Sequence, residues 1–224
     1  MTGLDIHHDA ARRRFLAGAG LTAAAAALPM LSRSSSMPGT GAPRPAPAAA
    51  FPAAPDLARP RLYPRAMAAL DRHAGRIAHR DRIAVADFSQ ASREARLHIV
   101  DIAGGDVRSY LVAHGKGSDP ARSGWLQSFS NVPDSEASSR GAYLTGETYV
   151  GQHGRSRRLV GLDPENDFAA PRAIVIHGAD YVSAAMAQAQ GLIGRSQGCF
   201  AVAQEAIEDV LEQVGPGRLL FAWK

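Results

Sequence analysis

Cys199 is the only cysteine of the 224-residue chain, and it follows a turn of small residues at 194–198. His177 lies 22 positions upstream, directly after the apolar run 174–176. A lone cysteine makes no internal disulfide, and a thiol beside a histidine base is an arrangement that performs nucleophilic catalysis. The pair therefore predicts a covalent cysteine mechanism, with an unreactive cysteine of the apolar core as the alternative.

The mechanism requires an activated thiol, because a free cysteine titrates near ~8.5. The apolar periodicity of 201–214 predicts a helix, which would place Cys199 near a helix N-terminus, where the dipole favours a thiolate. His177 is the expected general base, and such a base needs a third group that fixes its tautomer. Asp180 is one candidate for that group.

Two residues beside the nucleophile have open interpretations. Arg195 either clamps a peptide carboxylate bidentately or is a solvated loop arginine. Ser196 is better suited to brace the turn than to react.

The elements that position these residues are predicted to be mostly strands. Alternating and continuous apolar runs, with a hairpin signal at 104–106, indicate seven strands. They are 82–88, 96–102, 107–113, 142–149, 157–162, 173–176 and 218–223. Helical spacing predicts helices at 64–77, 181–190 and 201–214, and 117–140 is expected to be loop. The predicted fold class is mainly β, a sandwich or barrel with a few peripheral helices.

Several short segments together carry a more specific signal. They are His177-Gly178, the Gly-Arg-Ser-Gln-Gly-Cys run at 194–199, and the segments 112–117, 129–131, 138–149 and 153–154. Together they resemble the murein L,D-transpeptidases, the YkuD-like family, in the branch whose second motif is Gly-Arg-Ser-Trp-Gly-Cys-Pro. Gln197 stands where that branch has Trp, and Phe200 stands where it has Pro.

The resemblance implies an L,D-transpeptidase-like β-sandwich or barrel and a role for each residue of the site. Cys199 is then the nucleophile and His177 its base, oriented by the backbone carbonyl of Gly178. Backbone N–H groups at Gly198 and Gln197 form the implied oxyanion hole. The implied substrate-binding residues are Arg195, Ser196, Tyr143, His114 and His153.

By the same resemblance, the substrates are peptidoglycan stem peptides, and carbapenem-type β-lactams are expected inhibitors. The implied reaction is acyl transfer through a Cys199 thioester, with release of D-alanine and formation of 3→3 cross-links. If water is the acceptor, the protein is an L,D-carboxypeptidase or another murein hydrolase. A third alternative is a non-catalytic wall-binding module, in which Gln197 and Phe200 mark lost activity.

The N-terminal residues indicate export. Arg12 and Arg13 precede a weakly apolar stretch at 15–31, a pattern typical of signals read by the twin-arginine translocation machinery. The alternative is a retained membrane anchor, since 17 residues are at the lower edge of a spanning length. We expect a periplasmic or otherwise exported protein. Its predicted parts are an export signal at 1–37, a Pro/Ala-rich linker at 38–61 and a catalytic domain at 62–224.

Charge and composition exclude several classes of function. Residues 1–50 contain five Arg and two acids, while the remainder has 20 basic and 19 acidic residues, so the pI near 9.6 belongs mainly to the export segment. A nearly balanced domain gives no electrostatic support for binding nucleic acid. Neither His-x-x-His nor Cys-x-x-Cys spacing occurs, and no glycine-rich phosphate loop is present. We therefore expect no metal and no cofactor.

Overall fold

The computed structural model of the protein describes residues 60–224. The predicted export signal and nearly all of the predicted linker lie outside the described residues, so those boundaries stay predictions. Within residues 60–224, no helix has both the length and the apolar character needed to cross a membrane.

Nine strands and three α-helices form the described part of the chain. The strands are β1 (Arg82–Asp87), β2 (Leu97–Asp101), β3 (Val107–Tyr110), β4 (Val112–Ala113), β5 (Gly141–Gly151), β6 (Gly154–Gly161), β7 (Val175–Ala179), β8 (Phe200–Ala203) and β9 (Leu219–Trp223). The helices are α1 (Tyr63–Arg72), α2 (Ala184–Gln190) and α3 (Ile207–Val214), and a 3-10 turn spans Lys116–Ser118.

All nine strands join one sheet, in the order β3-β2-β1-β9-β5-β6-β7-β8-β4. Neighbours are antiparallel except for two parallel pairs, β1 with β9 and β7 with β8. The edge strands β3 and β4 are separated in the chain by one residue, Leu111. One residue cannot span a flat sheet whose strands lie about 4.8 Å apart, so this sheet must curl until its edges approach. The prediction of a mainly β fold with a few helices is confirmed.

Each face of the sheet contributes to its own core. Alternate residues of β1 divide between the two cores, with Ile83 and Val85 in the smaller one and Ala84 and Ala86 in the larger one. Helix α1 packs in the smaller core and α3 in the larger one. The two helices therefore cover opposite faces of the curled sheet, which leaves the rims of the strands for loops.

One predicted helix is wrong in its first part. Residues 201–203 of the helix predicted at 201–214 belong to β8 (Phe200–Ala203), and α3 begins only at Ile207. All four residues of β8 are buried between β7 and β4. A strand covered on both faces reads as a continuous apolar run, which periodicity does not distinguish from a buried helix. Cys199 therefore precedes a strand, and the expected activation of its thiol by a helix dipole is wrong.

The other predicted elements are present with shifted ends. Helix 64–77 ends at Arg72, and the strand predicted at 107–113 divides at Leu111. The helix predicted at 181–190 begins at Ala184, after Ser183 caps it by accepting a hydrogen bond from the Met186 backbone N–H at 3.1 Å. The strand predicted at 173–176 lies at 175–179, so His177 is in the middle of β7 and not at its end.

Candidate active site

His177 and Cys199 lie on neighbouring parallel strands. His177 pairs with Ala201 of β8, and Cys199 comes two residues before Ala201, next to the first residue of that strand. Side chains two residues apart in a strand point to the same face, with a rise of about 3.3 Å per residue and about 4.8 Å between strands. Extending the β8 register by one residue would place the Cα atoms of His177 and Cys199 about 8 Å apart.

The imidazole of His177 is held by its own strand. The residue is 2% exposed, and Nδ1 lies 2.9 Å from the carbonyl oxygen of Gly178. A carbonyl only accepts, so Nδ1 carries the proton and Nε2 keeps a lone pair. Burial is the main cause that lowers the pKa of His177; the Gly178 carbonyl opposes it, and the charge of His153 adds to it. The imidazole is therefore neutral near pH 7, whereas Asp180, the alternative orienting group, is exposed after β7.

The Cys199 thiol is partly exposed and points towards the segment before β7. Sγ donates to the carbonyl oxygen of Ala173 at 3.6 Å. Burial raises the pKa of the thiol and outweighs the lowering by the Val175 backbone N–H and by the positive charge of Arg172. The thiol is therefore protonated near neutral pH and needs a base.

Ser196 braces the turn before Cys199. Its Oγ donates to the Cys199 carbonyl at 2.7 Å and accepts from the Gly198 N–H at 3.1 Å. Ser196 is buried and its bracing role agrees with the structure, while a contact with substrate stays a prediction. Gly198 has a φ of +114°, and a Cβ there would lie 2.7 Å from the Ala137 carbonyl oxygen, so only glycine fits. Because the Gly198 N–H is already engaged, its use in an oxyanion hole requires the Ser196 hydroxyl to turn away.

A second segment lies alongside this turn. Ser196 forms an isolated parallel bridge with Gly115. The Ser196 N–H donates to the His114 carbonyl at 2.9 Å, and the Lys116 N–H donates to the Ser196 carbonyl at 2.8 Å. The Gly115 N–H in turn donates to Ser138 Oγ at 3.0 Å. The position of the nucleophile turn is thus set by two loop segments that are remote in sequence.

Two residues that were expected to contact substrate are fully buried. His114 and Tyr143 are both 0% exposed. His114 Nδ1 lies 2.7 Å from Arg96 Nη2 and its Nε2 lies 3.5 Å from Asp119 Oδ2, while the Tyr143 hydroxyl donates to the Ser139 carbonyl at 2.8 Å. Burial and the Arg96 charge lower the pKa of His114 to about 4, so it is neutral and accepts from Arg96. Both side chains support the site from the interior, and neither exposes surface to a substrate in this structure.

Arg195 is tied to a neighbouring loop. Its Nη1 donates to the carbonyl oxygens of Asp119 and Pro120, the latter at 3.4 Å. These contacts favour the loop-arginine interpretation over a free carboxylate clamp.

The two departures from the family motif have different surroundings. Phe200 is fully buried, stacked on Phe88 at 6.0 Å between ring centroids and edge-on to Tyr143 at 5.4 Å. Gln197 is exposed, and its Nε2 donates to Glu136 Oε1 at 3.1 Å. The first departure is thus accommodated in the core, and the second changes the open surface beside the nucleophile.

His153 reaches the base from the turn between β5 and β6. It is exposed, and its ring stacks on that of His177 with centroids 4.3 Å apart and an interplanar angle of 20°. Of the histidines expected to line the cleft, His153 is the one that the structure brings to the pair.

Arg172, two residues before Ile174, contributes to the site although no sequence motif marks it. Its guanidinium donates to four acceptors in the loop 130–139. They are the Ser130 carbonyl at 2.9 Å, Ser139 Oγ at 2.7 Å, Ser135 Oγ at 3.3 Å and the Ala137 carbonyl at 2.5 Å. Arg172 therefore fastens this loop beside Cys199, and its charge favours the thiolate. Local patterns do not identify it, because its partners lie 33 to 42 residues away in the chain.

A cavity of about 510 Å³ opens between the turn that contains Gln197 and the segment before β7. Its wall includes Arg172, Ala173, Gln197, Glu136 and Phe168, so charged, amide and aromatic groups face the same space. One lining residue, Ala173, is also the residue whose carbonyl accepts from the Cys199 thiol. Within residues 60–224, no group of three or more His, Cys, Asp or Glu side chains is arranged to hold a metal ion.

Comparison with known proteins gives a family and a set of distant structures. The profile of the family YkuD_2, described as L,D-transpeptidase catalytic domain, matches residues 56–223. Comparison with curated protein sequences finds no match.

Three similar solved structures are each less than 15% identical to this chain. An L,D-transpeptidase from Mycobacterium smegmatis is 13% identical with a TM-score of 0.40, covering 64% of this chain and 59% of that one. The helical cell shape determining protein Pgp2 from Campylobacter jejuni is 12% identical with a TM-score of 0.44, covering 66% and 48%. L,D-transpeptidase 3 from Mycobacterium tuberculosis, in complex with a faropenem-derived adduct, is 13% identical with a TM-score of 0.40, covering 64% and 60%.

The chain spans about half to three fifths of the length of these structures. The family profile, in contrast, covers most of the chain and includes both His177 and Cys199. The chain belongs to the family of L,D-transpeptidase catalytic domains.

Proposed function

We propose that the protein is an exported cysteine acyltransferase that acts on peptidoglycan stem peptides. The observation that carries the proposal is that a partly exposed cysteine comes directly before β8, while the neighbouring strand β7 holds an oriented, neutral imidazole at His177. Membership of the L,D-transpeptidase family supplies the class of reaction and substrate.

In the proposed acylation, the Cys199 thiol attacks the carbonyl carbon between the L-centre of the diamino acid at position three and D-alanine at position four. His177 Nε2 accepts the thiol proton as the S–C bond forms. The C–N bond then breaks, D-alanine leaves, and the imidazolium gives its proton to the departing amine. The raised pKa of Cys199 and the lowered pKa of His177 both keep the resting pair uncharged, so the proton moves when substrate is attacked.

In the proposed deacylation, an amine of a second stem peptide attacks the thioester carbonyl. His177 accepts a proton from that amine, and the thiolate leaves and is reprotonated. The products are a 3→3 cross-link and the free enzyme. The backbone N–H groups at Gln197 and Gly198 remain our proposed donors to the oxyanion, with Ser196 releasing Gly198 when the negative charge develops.

Water is the second candidate acceptor, because Cys199 is partly exposed. Hydrolysis of the same thioester would make the protein an L,D-carboxypeptidase.

The proposal is tested by incubating the purified protein with tetrapeptide-rich sacculi and identifying muropeptides by mass spectrometry. We expect 3→3 dimers together with free D-alanine, and neither product with Cys199→Ala. Tripeptide monomers without dimers would establish the carboxypeptidase. An unchanged muropeptide profile with the native protein would favour the wall-binding module.

Export is tested separately from chemistry. Changing Arg12 and Arg13 to Lys should retain precursor in the cytoplasm, because the twin-arginine receptor reads both guanidinium groups. Immunoblots of fractionated cells measure this, with the native chain as control. Unimpaired export of the double variant would remove the twin-arginine route from the proposal.

A further inference from the structure

The tip of the β5–β6 hairpin lies beside the proposed base. Gly151 pairs with Gly154, so Gln152 and His153 form the two-residue turn. Strand β6 is the neighbour of β7 in the sheet, and its Ser156 pairs with His177. The hairpin is therefore aligned so that its turn projects next to His177.

The ring of His153 covers one face of the His177 ring. The centroids are 4.3 Å apart and the planes are inclined by 20°, which is a stacked arrangement. His153 itself is exposed, and its Nε2 lies 3.0 Å from Gln152 Nε2 in the same turn. The outer ring thus contacts solvent on one side and the buried base on the other.

We propose that His153 is a positioning residue for the general base, whose stacked ring fixes the plane of the His177 imidazole. This inference rests on the proposed function of His177. The Gly178 carbonyl fixes the rotation of that ring within its plane at Nδ1, and His153 restrains it perpendicular to the plane. The two contacts together leave Nε2 with a defined direction.

Charge gives the stack a second effect. Two imidazolium rings in van der Waals contact repel, so protonation of one opposes protonation of the other. Burial is the larger cause of the lowered pKa of His177, and the charge of His153 lowers it further.

Two other charged groups lie on or next to the strands around His177. Arg155 on β6 is paired with Glu208 of α3, and Asp180 after β7 is exposed. Cys199 comes directly before β8, and its raised pKa keeps it uncharged near neutrality.

The test compares His153→Ala and His153→Phe with the native full-length chain, and Val150→Ala, 82% exposed on the same hairpin, is the matched control. The first measurement is the NMR titration of the His177 imidazole, which needs no substrate. In His153→Ala the titration midpoint should move up, because both solvent exclusion and the opposing charge are lost. His153→Phe keeps the covering ring, so its midpoint should lie between those of the alanine variant and the native protein.

The second measurement is the rate of Cys199 acylation by imipenem, followed by intact mass from pH 5 to 9. We expect His153→Ala to be roughly tenfold slower at neutral pH, less than complete loss of a base, and its acid limb to move to higher pH. His153→Phe should recover most of the neutral rate, and Val150→Ala should match the native protein.

An unchanged His177 titration in His153→Ala overturns the inference, and so does a slower rate that His153→Phe fails to recover. If the native protein takes up no imipenem at all, the proposed function fails, while the titration still decides the role of His153.

Discussion

Two buried histidines lie on either side of the nucleophile turn, and they differ in what their free nitrogens face. His114 is enclosed by Arg96 and Asp119, and all three side chains are fully buried. His177 is bound only through Nδ1, to the carbonyl of Gly178, and among residues 60–224 no hydrogen bond engages its Nε2.

Burial lowers the pKa of both histidines, so a perturbed pKa alone does not distinguish them. The surroundings of the ring nitrogen that makes no hydrogen bond do distinguish the two histidines. His114 Nε2 points into a closed cluster with a carboxylate 3.5 Å away, whereas His177 lies on β7, beside the strand that Cys199 precedes. The comparison teaches that one histidine stabilises the wall of the site and the other is available for proton transfer.

The largest expected effect is on His177. Removing a general base typically slows a reaction ~10²–10⁴-fold, so His177→Ala should slow imipenem acylation of Cys199 by that range. The native rate should be flat around neutral pH, because the lowered pKa of His177 keeps the base neutral there. The variant's rate should instead rise about tenfold per pH unit up to the raised pKa of the thiol, since it depends on the thiolate fraction.

The measurement is intact mass against time across pH, with thermal melting as the control for folding. A folded His177→Ala protein that keeps more than about a tenth of the native rate would contradict the pair.

The next effect belongs to His114 and concerns stability. Its folded pKa of about 4 lies below the unfolded value of 6.5, so between these pH values the unfolded chain binds a proton that the native protein does not. Native stability should therefore fall as pH drops from 6.5 to 4, by at most about 3 kcal/mol. His114→Gln keeps an acceptor for Arg96 and carries no titrating group, so it should flatten this part of the profile.

Urea unfolding at several pH values measures the slope, and imipenem acylation at neutral pH should stay within a few-fold of native. If His114→Gln retains the native slope, another group is responsible and His114 loses its assigned part in acid lability. A His114→Gln protein as slow as His177→Ala would break the distinction between the two histidines.

The chemistry of the pair could be predicted from the sequence better than its surroundings could. The apolar run before His177 and the glycine-bounded turn before Cys199 are local patterns, and both lead to the observed strand and turn. The strand β8 was interpreted as helix because its burial on both faces depends on β7 and β4, which are remote in sequence. His114 has a glycine after it, as His177 does, and only tertiary packing distinguishes the buried support from the proposed base.

Arg172 provides the smallest expected effect and sharpens the comparison from the side of the thiol. Its charge lowers the pKa of Cys199 while burial raises it more strongly. Arg172→Gln should therefore move the pH profile of Cys199 alkylation by iodoacetamide to higher pH, whereas Arg172→Lys keeps the charge and should move it less. Both variants lose hydrogen bonds to the loop 130–139, at a typical cost of about 0.5–1.5 kcal/mol each, so both should melt at a lower temperature.

Equal alkylation profiles for the two variants would show that Arg172 acts only by fastening the loop. A shift seen only with Arg172→Gln would show that the positive charge of Arg172 also lowers the pKa of the Cys199 thiol. Because burial raises that pKa more strongly, the thiol would still need His177 as a base.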